Sequence, residues 1–129
     1  MSQMTNYLEN KIVDLLFRNQ AFAAPASLHI SLHTANPGET GASELASTGA
    51  YGRAPITSNL NNWRSTNGTT GSVSTGTSGQ TSNATAANFP TPTANWGNVT
   101  HFAIWDAATG GNCLLYGPLT VAKTINQGD

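Results

Sequence analysis

The sequence predicts a mainly β protein, an antiparallel β-sandwich or small barrel with one N-terminal α-helix. Two observations predict this class. A single segment near the N-terminus has helical periodicity, and the rest consists of short apolar or alternating stretches separated by turns rich in Gly and Pro. With 129 residues, the chain is expected to fold as one domain over residues 1–129, with a β body at about 27–125.

The helix is predicted over about residues 5–19. Asn6 is the candidate N-cap because Glu9 follows three residues later, as in a capping box. The apolar residues that follow cover an arc of roughly 200°, wider than the ~100° stripe that a helix needs to rest on one core. Val13 and Phe17, at one end of this arc, are expected either to pack under the following Ala-rich loop or to contact a neighbouring subunit.

The clearest strand is predicted at residues 27–34, where apolar and polar side chains alternate with a period of two. The apolar members, expected to face the core, are Leu28, Ile30 and Leu32. The polar members, expected to form a solvated face, are Ser27, His29, Ser31 and His33. His29 and His33 lie about 13 Å apart on such a strand at ~3.3 Å per residue, too far to share a zinc ion unaided.

The following segments predict a long surface loop and an edge strand. Residues 35–49 are rich in Gly and polar residues, as is typical of a loop. Residues 51–57 are expected to form a short strand. Pro55 has no N–H to donate, so it places this strand at an edge or a strand end.

A polar extension follows at about residues 65–87, which consist almost entirely of Ser, Thr, Gly, Asn and Ala, with Val73 as the only large aliphatic residue. Such a segment cannot build a core, whereas Thr favours strands. It is expected to form extended hairpins or a mobile loop.

The C-terminal part predicts a central hairpin. Residues 99–105 are apolar on both faces, as in a central strand, and 112–116 are expected to return as the hairpin partner. Asp106 opens the turn between them and is expected to accept hydrogen bonds from N–H groups two or three residues later. Residues 119–122 are expected to begin one more strand.

Composition excludes several classes of partner. Five basic and six acidic residues give a net charge of −1 without any basic run, so neither nucleic acid nor a membrane surface is an expected partner. No apolar stretch approaches the ~20 residues that span a bilayer, and no secretion signal is predicted. Cys113 is the only cysteine, which excludes an intrachain disulfide and a Cys-rich zinc site.

No catalytic residue, metal site or cofactor is predicted. The loop carboxylates, Glu39 and Glu44, and the turn residue Asp106 follow no pattern that forces them together, and no nucleophile elbow or phosphate-binding Gly motif is present. Trp63 and Trp96 are expected to cap sheet ends or to enter interfaces, with a sugar-stacking platform as the alternative.

Three stretches together resemble a family of small tailed-bacteriophage virion proteins. The sequence NYLENKIVD at residues 6–14 is similar to the opening helix of that family. Residues 28–41, followed by GAYGR at 49–53, are similar to its first two strands and their loop. HFAIWD at 101–106, with GGN at 110–112 and LYG at 115–117, is similar to its C-terminal hairpin. The resemblance implies a structural role in the virion, either in tail fibres or as a capsid cement protein.

The expected function is therefore that of a non-enzymatic virion protein, made in the host cytoplasm. In the first hypothesis it is a decoration protein that bridges subunits of the major capsid protein, with a tail or tail-fibre component as the second. A glycan-binding module is the alternative from another class. The chain is expected to form a homo-oligomer and to contact other virion proteins. The residues expected to contact partners are Val13, Phe17, Pro37, Glu39, Leu45, Trp63 and Trp96.

Overall fold

The computed structural model describes residues 2–129, which form one helix and five strands. In chain order the elements are β1 (Gln3–Met4), α1 (Asn6–Phe17), β2 (Ser27–His33), β3 (Ala54–Thr57), β4 (Gly97–Trp105) and β5 (Cys113–Ile125). A single turn of 3-10 helix at Gly38–Thr40 interrupts the loop between β2 and β3.

All five strands belong to one antiparallel sheet with the order β1-β5-β4-β2-β3. The predicted class, mainly β with antiparallel strands and one N-terminal helix, is confirmed. The sheet is open, and within residues 2–129 no second sheet packs on it to complete a sandwich or barrel. The physical reason lies in the long connection between β3 and β4, whose polar sequence offers no apolar strand face to pack against the first sheet.

The positions of β3 and β4 in the sheet are those that the sequence predicts. β4 lies between β2 and β5, which agrees with its apolar residues on both faces. β3 is an edge strand, and the side chain of Pro55 within it is exposed. β5 is longer than expected and runs without interruption through the predicted additional strand to Ile125.

The helix is shorter than predicted and has a different N-cap. It begins at Asn6 because the Thr5 hydroxyl accepts a hydrogen bond from the Leu8 N–H (3.3 Å) and donates one to the Cys113 carbonyl (2.7 Å). Thr5 is completely buried. A tertiary contact with β5 therefore selects Thr5 over Asn6 as the cap, which sequence spacing alone does not reveal.

The polar segment at 65–87 forms turns and not extended hairpins, which were one of its two expected forms. Within residues 2–129 its one β-type contact is an isolated bridge between Trp63 and Asn83. Side chains bond to backbone across the segment: the Thr75 N–H donates to the Asn67 side chain (3.0 Å), and the Thr81 hydroxyl donates to the Arg64 carbonyl (2.6 Å). Hydrogen bonds from short polar side chains thus take the place of a strand ladder.

Asp106 braces the turn between β4 and β5, as predicted, although with a more distant partner. Its carboxylate accepts hydrogen bonds from the Asn112 N–H (2.7 Å) and from the Asn112 side-chain amide (2.8 Å). Both bonds come from a residue six positions later, so one side chain closes the whole turn.

The core divides into two clusters of buried residues. One consists of Ala103, Trp105, Cys113 and Tyr116 on β4 and β5. The other consists of Leu32, Tyr51 and Val99, against which the half-buried Leu45, Phe89, Trp96, Leu119 and Ile125 pack.

Candidate interaction surface

The sheet has two faces that differ in what covers them. Residues directly opposite one another in a ladder point to the same face. The loop face, covered by the loop between β2 and β3, carries Ser31, His33, Ala103, Trp105 and Tyr116. The groove face carries Leu28, Ile30, Phe102, Ile104 and Leu115.

The loop face contradicts the prediction of a solvated polar face on β2 at two of its four residues. Ser31 and His33 have no exposed surface, whereas Ser27 and His29 are half-buried. Of the predicted apolar set, Leu32 is buried in the core, and Leu28 and Ile30 are half-buried. Strand periodicity correctly separates the two sets of side chains. It cannot show where the following loop runs, and here the loop covers Ser31 and His33 while its residues Leu45 and Tyr51 also pack with Leu32.

A buried chain of hydrogen bonds makes this covering possible. The Trp105 indole N–H donates to the Ser31 hydroxyl (2.8 Å), which is 2.7 Å from His33 Nε2. His33 Nδ1 lies 2.7 Å from the Ala42 carbonyl and donates to it, so Nε2 is the acceptor of the Ser31 hydroxyl in the neutral ring. Burial lowers the pKa of His33, which keeps the imidazole in this neutral form.

Arg53 holds the loop to the sheet. Its guanidinium donates two hydrogen bonds to the Glu44 carboxylate (2.9 and 2.8 Å) and one each to the carbonyls of Ala107 and Gly110, both 2.9 Å. It also stacks on Trp105, 3.8 Å from the ring centroid. One side chain therefore joins the loop, the sheet and the β4–β5 turn, in the planar geometry that distinguishes Arg from Lys.

The environment of Glu44 keeps it ionised. Burial by itself would raise the pKa of Glu44, but hydrogen bonds from Arg53 and Tyr51 outweigh burial and lower it. Tyr51 also accepts a hydrogen bond from the Leu32 N–H (3.0 Å) while its hydroxyl donates to Glu44 (3.0 Å). The Glu44 carboxylate and the Arg53 guanidinium thus make their hydrogen bonds within the chain.

The outer side of α1 has no such cover. None of its 12 residues is buried. Leu8 and Ile12 are half-buried and Leu15 is 43% exposed, whereas Val13, Leu16 and Phe17 are 49%, 69% and 82% exposed. We call these last three residues the helix ridge. The expectation that Val13 and Phe17 pack under the Ala-rich loop is wrong, because the loop leaves them in solvent.

A groove of about 990 Å³ lies on the groove face. Its floor is formed by apolar side chains of the sheet, and its far wall by Leu60, Trp63 and the polar residues 79–83. The floor residues are Leu28, Phe102, Ile104 and Leu115. Leu60 is half exposed, and the Trp63 indole N–H is buried without an acceptor among residues 2–129. The groove is thus an apolar concavity that the chain itself leaves open.

The structure places the remaining predicted contact residues in the interior or in internal bonds. Pro37 is completely buried, and Leu45 packs against the Leu32 cluster. Trp96 is half-buried, packs edge-on against Tyr51 and donates its indole N–H to the Gly49 carbonyl (2.8 Å). Glu39 is exposed, and its carboxylate accepts hydrogen bonds from the Asn6 N–H at the start of α1 and from the Tyr116 hydroxyl. Of the predicted set, Val13, Phe17 and Trp63 line the helix ridge and the groove.

In the part of the chain that the structure describes, the titratable groups do not assemble into a reactive centre that solvent can reach. Ser31 and His33 have the spacing of a nucleophile and a base, yet both are completely buried and their hydrogen-bonding atoms are occupied. Among residues 2–129, no group of three His, Cys, Asp or Glu side chains is placed to hold a metal ion. In the same range, no helix is long and apolar enough to cross a membrane.

Comparison with protein-family models identifies the family of the chain. The family model described as Podophage GP4 fiber I protein gp80 matches residues 3–129, nearly the whole chain. The chain belongs to this family. A search of curated proteins found no match. The predicted resemblance to tailed-phage virion proteins is therefore confirmed, and the chain is a structural protein of a phage virion.

Sequence reasoning missed Arg53, the side chain with the most consequential contacts on the loop face. It appears in the sequence only as the basic residue of the GAYGR stretch, within the short strand predicted at 51–57. The available signal was its rarity: a chain with five basic residues places one of them beside Tyr51, between a loop and a strand. The partner carbonyls come from a turn more than 50 residues away, so no local pattern identifies them.

Proposed function

We propose that this virion protein is a non-enzymatic subunit of a phage fibre and acts by forming protein–protein contacts. The family description, which names a fibre protein, supports a fibre position over the capsid decoration expected from the sequence. The observation that carries the assembly role is the helix ridge, since three large apolar side chains stand in solvent on a helix without a buried residue.

A non-enzymatic role is supported by the internal hydrogen bonds of the polar groups on the loop face. The Ser31–His33 pair holds the loop to the sheet, and the Glu44 carboxylate is neutralised by Arg53. Catalytic groups need access to substrate and unsatisfied bonding capacity. These side chains have neither.

The tryptophans give little support to the glycan-binding alternative. Trp96 is committed to the Tyr51 contact and the Gly49 carbonyl, and Trp105 is buried beneath Arg53. Trp63 is half-buried in a groove with an apolar floor, and its indole N–H is buried. A sugar platform instead presents an accessible ring face.

Labelling of purified particles tests the proposal. Gold-conjugated antibodies against this chain are expected to mark fibres, with antibodies against the major capsid protein as the control that marks heads. Label over the head at a copy number near that of the major capsid protein would instead favour decoration. Absence of the chain from washed particles would overturn both structural roles.

A further inference from the structure

We propose that a polar pocket in the segment at 64–82 binds a carboxylate-bearing sugar, a hexuronate, with the sugar carboxylate on Arg64. The pocket has a volume of about 330 Å³, which is at the small end of the range for ligand sites. Residues 64–68 form one wall, and Ser78 with residues 80–82 forms the other. None of the three tryptophans lines it. Binding at this pocket does not depend on where the chain lies in the particle.

Arg64 gives the pocket a positive charge without a counter-charge. Residues 54–105 contain no Asp, Glu or Lys, and Arg64 is their single Arg. Every other residue that lines the pocket is a glycine or an uncharged polar residue. Arg18 and Arg53 are paired with carboxylates, whereas the Arg64 guanidinium makes one bond, 3.5 Å long, to the Gly68 carbonyl. In the described part of the chain its other N–H groups have no acceptor, so a ligand carboxylate can take them in the bidentate geometry that Arg favours.

Neutral hydrogen-bond donors line the same pocket. Within residues 2–129, the amide NH₂ groups of Asn67 and Gln80 and the Ser82 hydroxyl have no hydrogen-bond partner, although the Asn67 side-chain oxygen accepts from the Thr75 N–H. The hydroxyl and ring oxygens of a sugar accept such bonds.

The combination of donors selects the class of ligand. An uncharged sugar would leave the Arg64 guanidinium without a counter-charge, and a small anion would leave the neutral donors unused. A hexuronate carries both a carboxylate and several hydroxyl groups on one ring, so it satisfies both sets of donors.

Hydrogen bonds between the two walls fix the pocket in the absence of a ligand. The Thr81 hydroxyl donates to the Arg64 carbonyl (2.6 Å), and the Ser78 hydroxyl donates to the Thr66 carbonyl (2.7 Å). The chain also passes very close to this wall at Gly76, where a Cβ would lie 2.6 Å from the Thr66 carbonyl oxygen. A site that is already ordered loses less conformational entropy on binding.

Titration of the full chain with D-glucuronate, followed by the NMR shifts of backbone amides, tests the site. Saturable shifts are expected at Arg64, Gly68 and Gln80, with a dissociation constant of about a millimolar for a single sugar. Glucose has a similar ring without a carboxylate, and acetate and inorganic phosphate lack the ring. Each is expected to bind about tenfold more weakly or less. The absence of saturable shifts with glucuronate, or an equal affinity for glucose, acetate or phosphate, would overturn the proposal.

Substitution of Arg64 tests the role of its charge. Arg64→Gln is expected to weaken glucuronate binding about tenfold or more, because it removes the charge-assisted hydrogen bonds to the carboxylate. Lys123→Gln is the matched control, since Lys123 is an exposed cation outside the pocket, and it is expected to bind glucuronate as the wild type does. Wild-type affinity in Arg64→Gln, or an equal loss in Lys123→Gln, would refute the site.

Substitution of Gly76 tests the fixed geometry of the walls without touching a donor. Gly76→Ala is expected to displace the wall at Thr66 and to weaken glucuronate binding about tenfold, while the amide shifts of the β-sheet stay in place. Gly52→Ala is the control, because a Cβ on Gly52 meets nothing within 4 Å. It is expected to keep the wild-type affinity. Undiminished binding in Gly76→Ala would contradict the preformed pocket on which the proposal depends.

Discussion

The two faces of the sheet differ in which residues of β2 they bury. The loop face buries Ser31 and His33 completely, while the groove face leaves Leu28 and Ile30 partly in solvent. The difference teaches that burial follows from which side chains find partners. Polar groups whose bonds are all made can be buried at low cost, whereas apolar groups without a covering layer remain exposed. The loop face thus closes over Ser31 and His33 within one chain, whereas the groove face leaves Leu28 and Ile30 partly uncovered.

Arg53→Ala is the substitution expected to damage the loop face most. It removes four hydrogen bonds and the Trp105 stack and leaves Glu44 without its counter-charge. Breaking a buried ion pair costs about 3–5 kcal/mol, and urea unfolding of the purified chain measures the loss. Arg64→Ala is the control, because the exposed Arg64 guanidinium makes one long bond of 3.5 Å. It is expected to change the unfolding free energy by about 0.5 kcal/mol or less. Equal losses in the two variants would contradict the role given to Arg53.

Gly41→Ala tests how closely the loop lies on the sheet. A Cβ on Gly41 would clash with two carbons of the Trp105 ring, and the Gly41 φ of +70° already disfavours a side chain. The expected loss is about 2–4 kcal/mol, from overpacking and left-handed strain together. Gly38→Ala shares the strain, with φ of +60°, but its Cβ meets nothing within 4 Å. Thermal unfolding should show it losing only about 1–2 kcal/mol; a loss as large as that of Gly41→Ala would disprove the close contact.

The pH dependence of stability gives a smaller effect with a defined sign. Burial lowers the pKa of His33 below its unfolded value near 6.5, so the unfolded chain binds the proton more readily. Stability from His33 is therefore present above about pH 6.5 and declines as the pH falls toward 5. The facing groups Glu44, Arg53 and His101 shift this pKa less than burial does.

Urea unfolding of wild type and His33→Gln at several pH values measures this slope. The variant is expected to be less stable but to show a weaker slope between pH 7 and 5. The pKa of His29 is also lowered, chiefly by burial. His29→Gln is therefore the comparison that measures the part of the pH dependence due to His29. A slope unchanged by His33→Gln would show that His33 is not the group responsible.

The sequence predicts best the features that depend on local pattern. β4 is identified as central by its apolar faces, β3 as an edge by Pro55, and the Asp106 turn by its side-chain chemistry. Each of these depends on a physical rule that acts over a few residues.

Features that depend on distant partners are not predictable in this way. Thr5 replaces Asn6 as the cap because its hydroxyl reaches the Cys113 carbonyl, 108 residues away. The burial of His33 depends on where the loop turns back, and its bond to the Ala42 carbonyl appears only in the folded chain. The helix ridge is predictable only in part. Its wide apolar arc is visible in the sequence, but its exposure follows from the small area of sheet that α1 touches.

The buried position of Cys113 determines how readily the protein is oxidised outside a cell. Desolvation raises the pKa of this thiol to about 11, and the side chain is 5% exposed. Thiolate is the form that oxidants and disulfides attack. In an aerated medium near neutral pH the sulfur therefore stays almost wholly protonated and shielded. A released particle needs no reducing agent to protect this cysteine from oxidation.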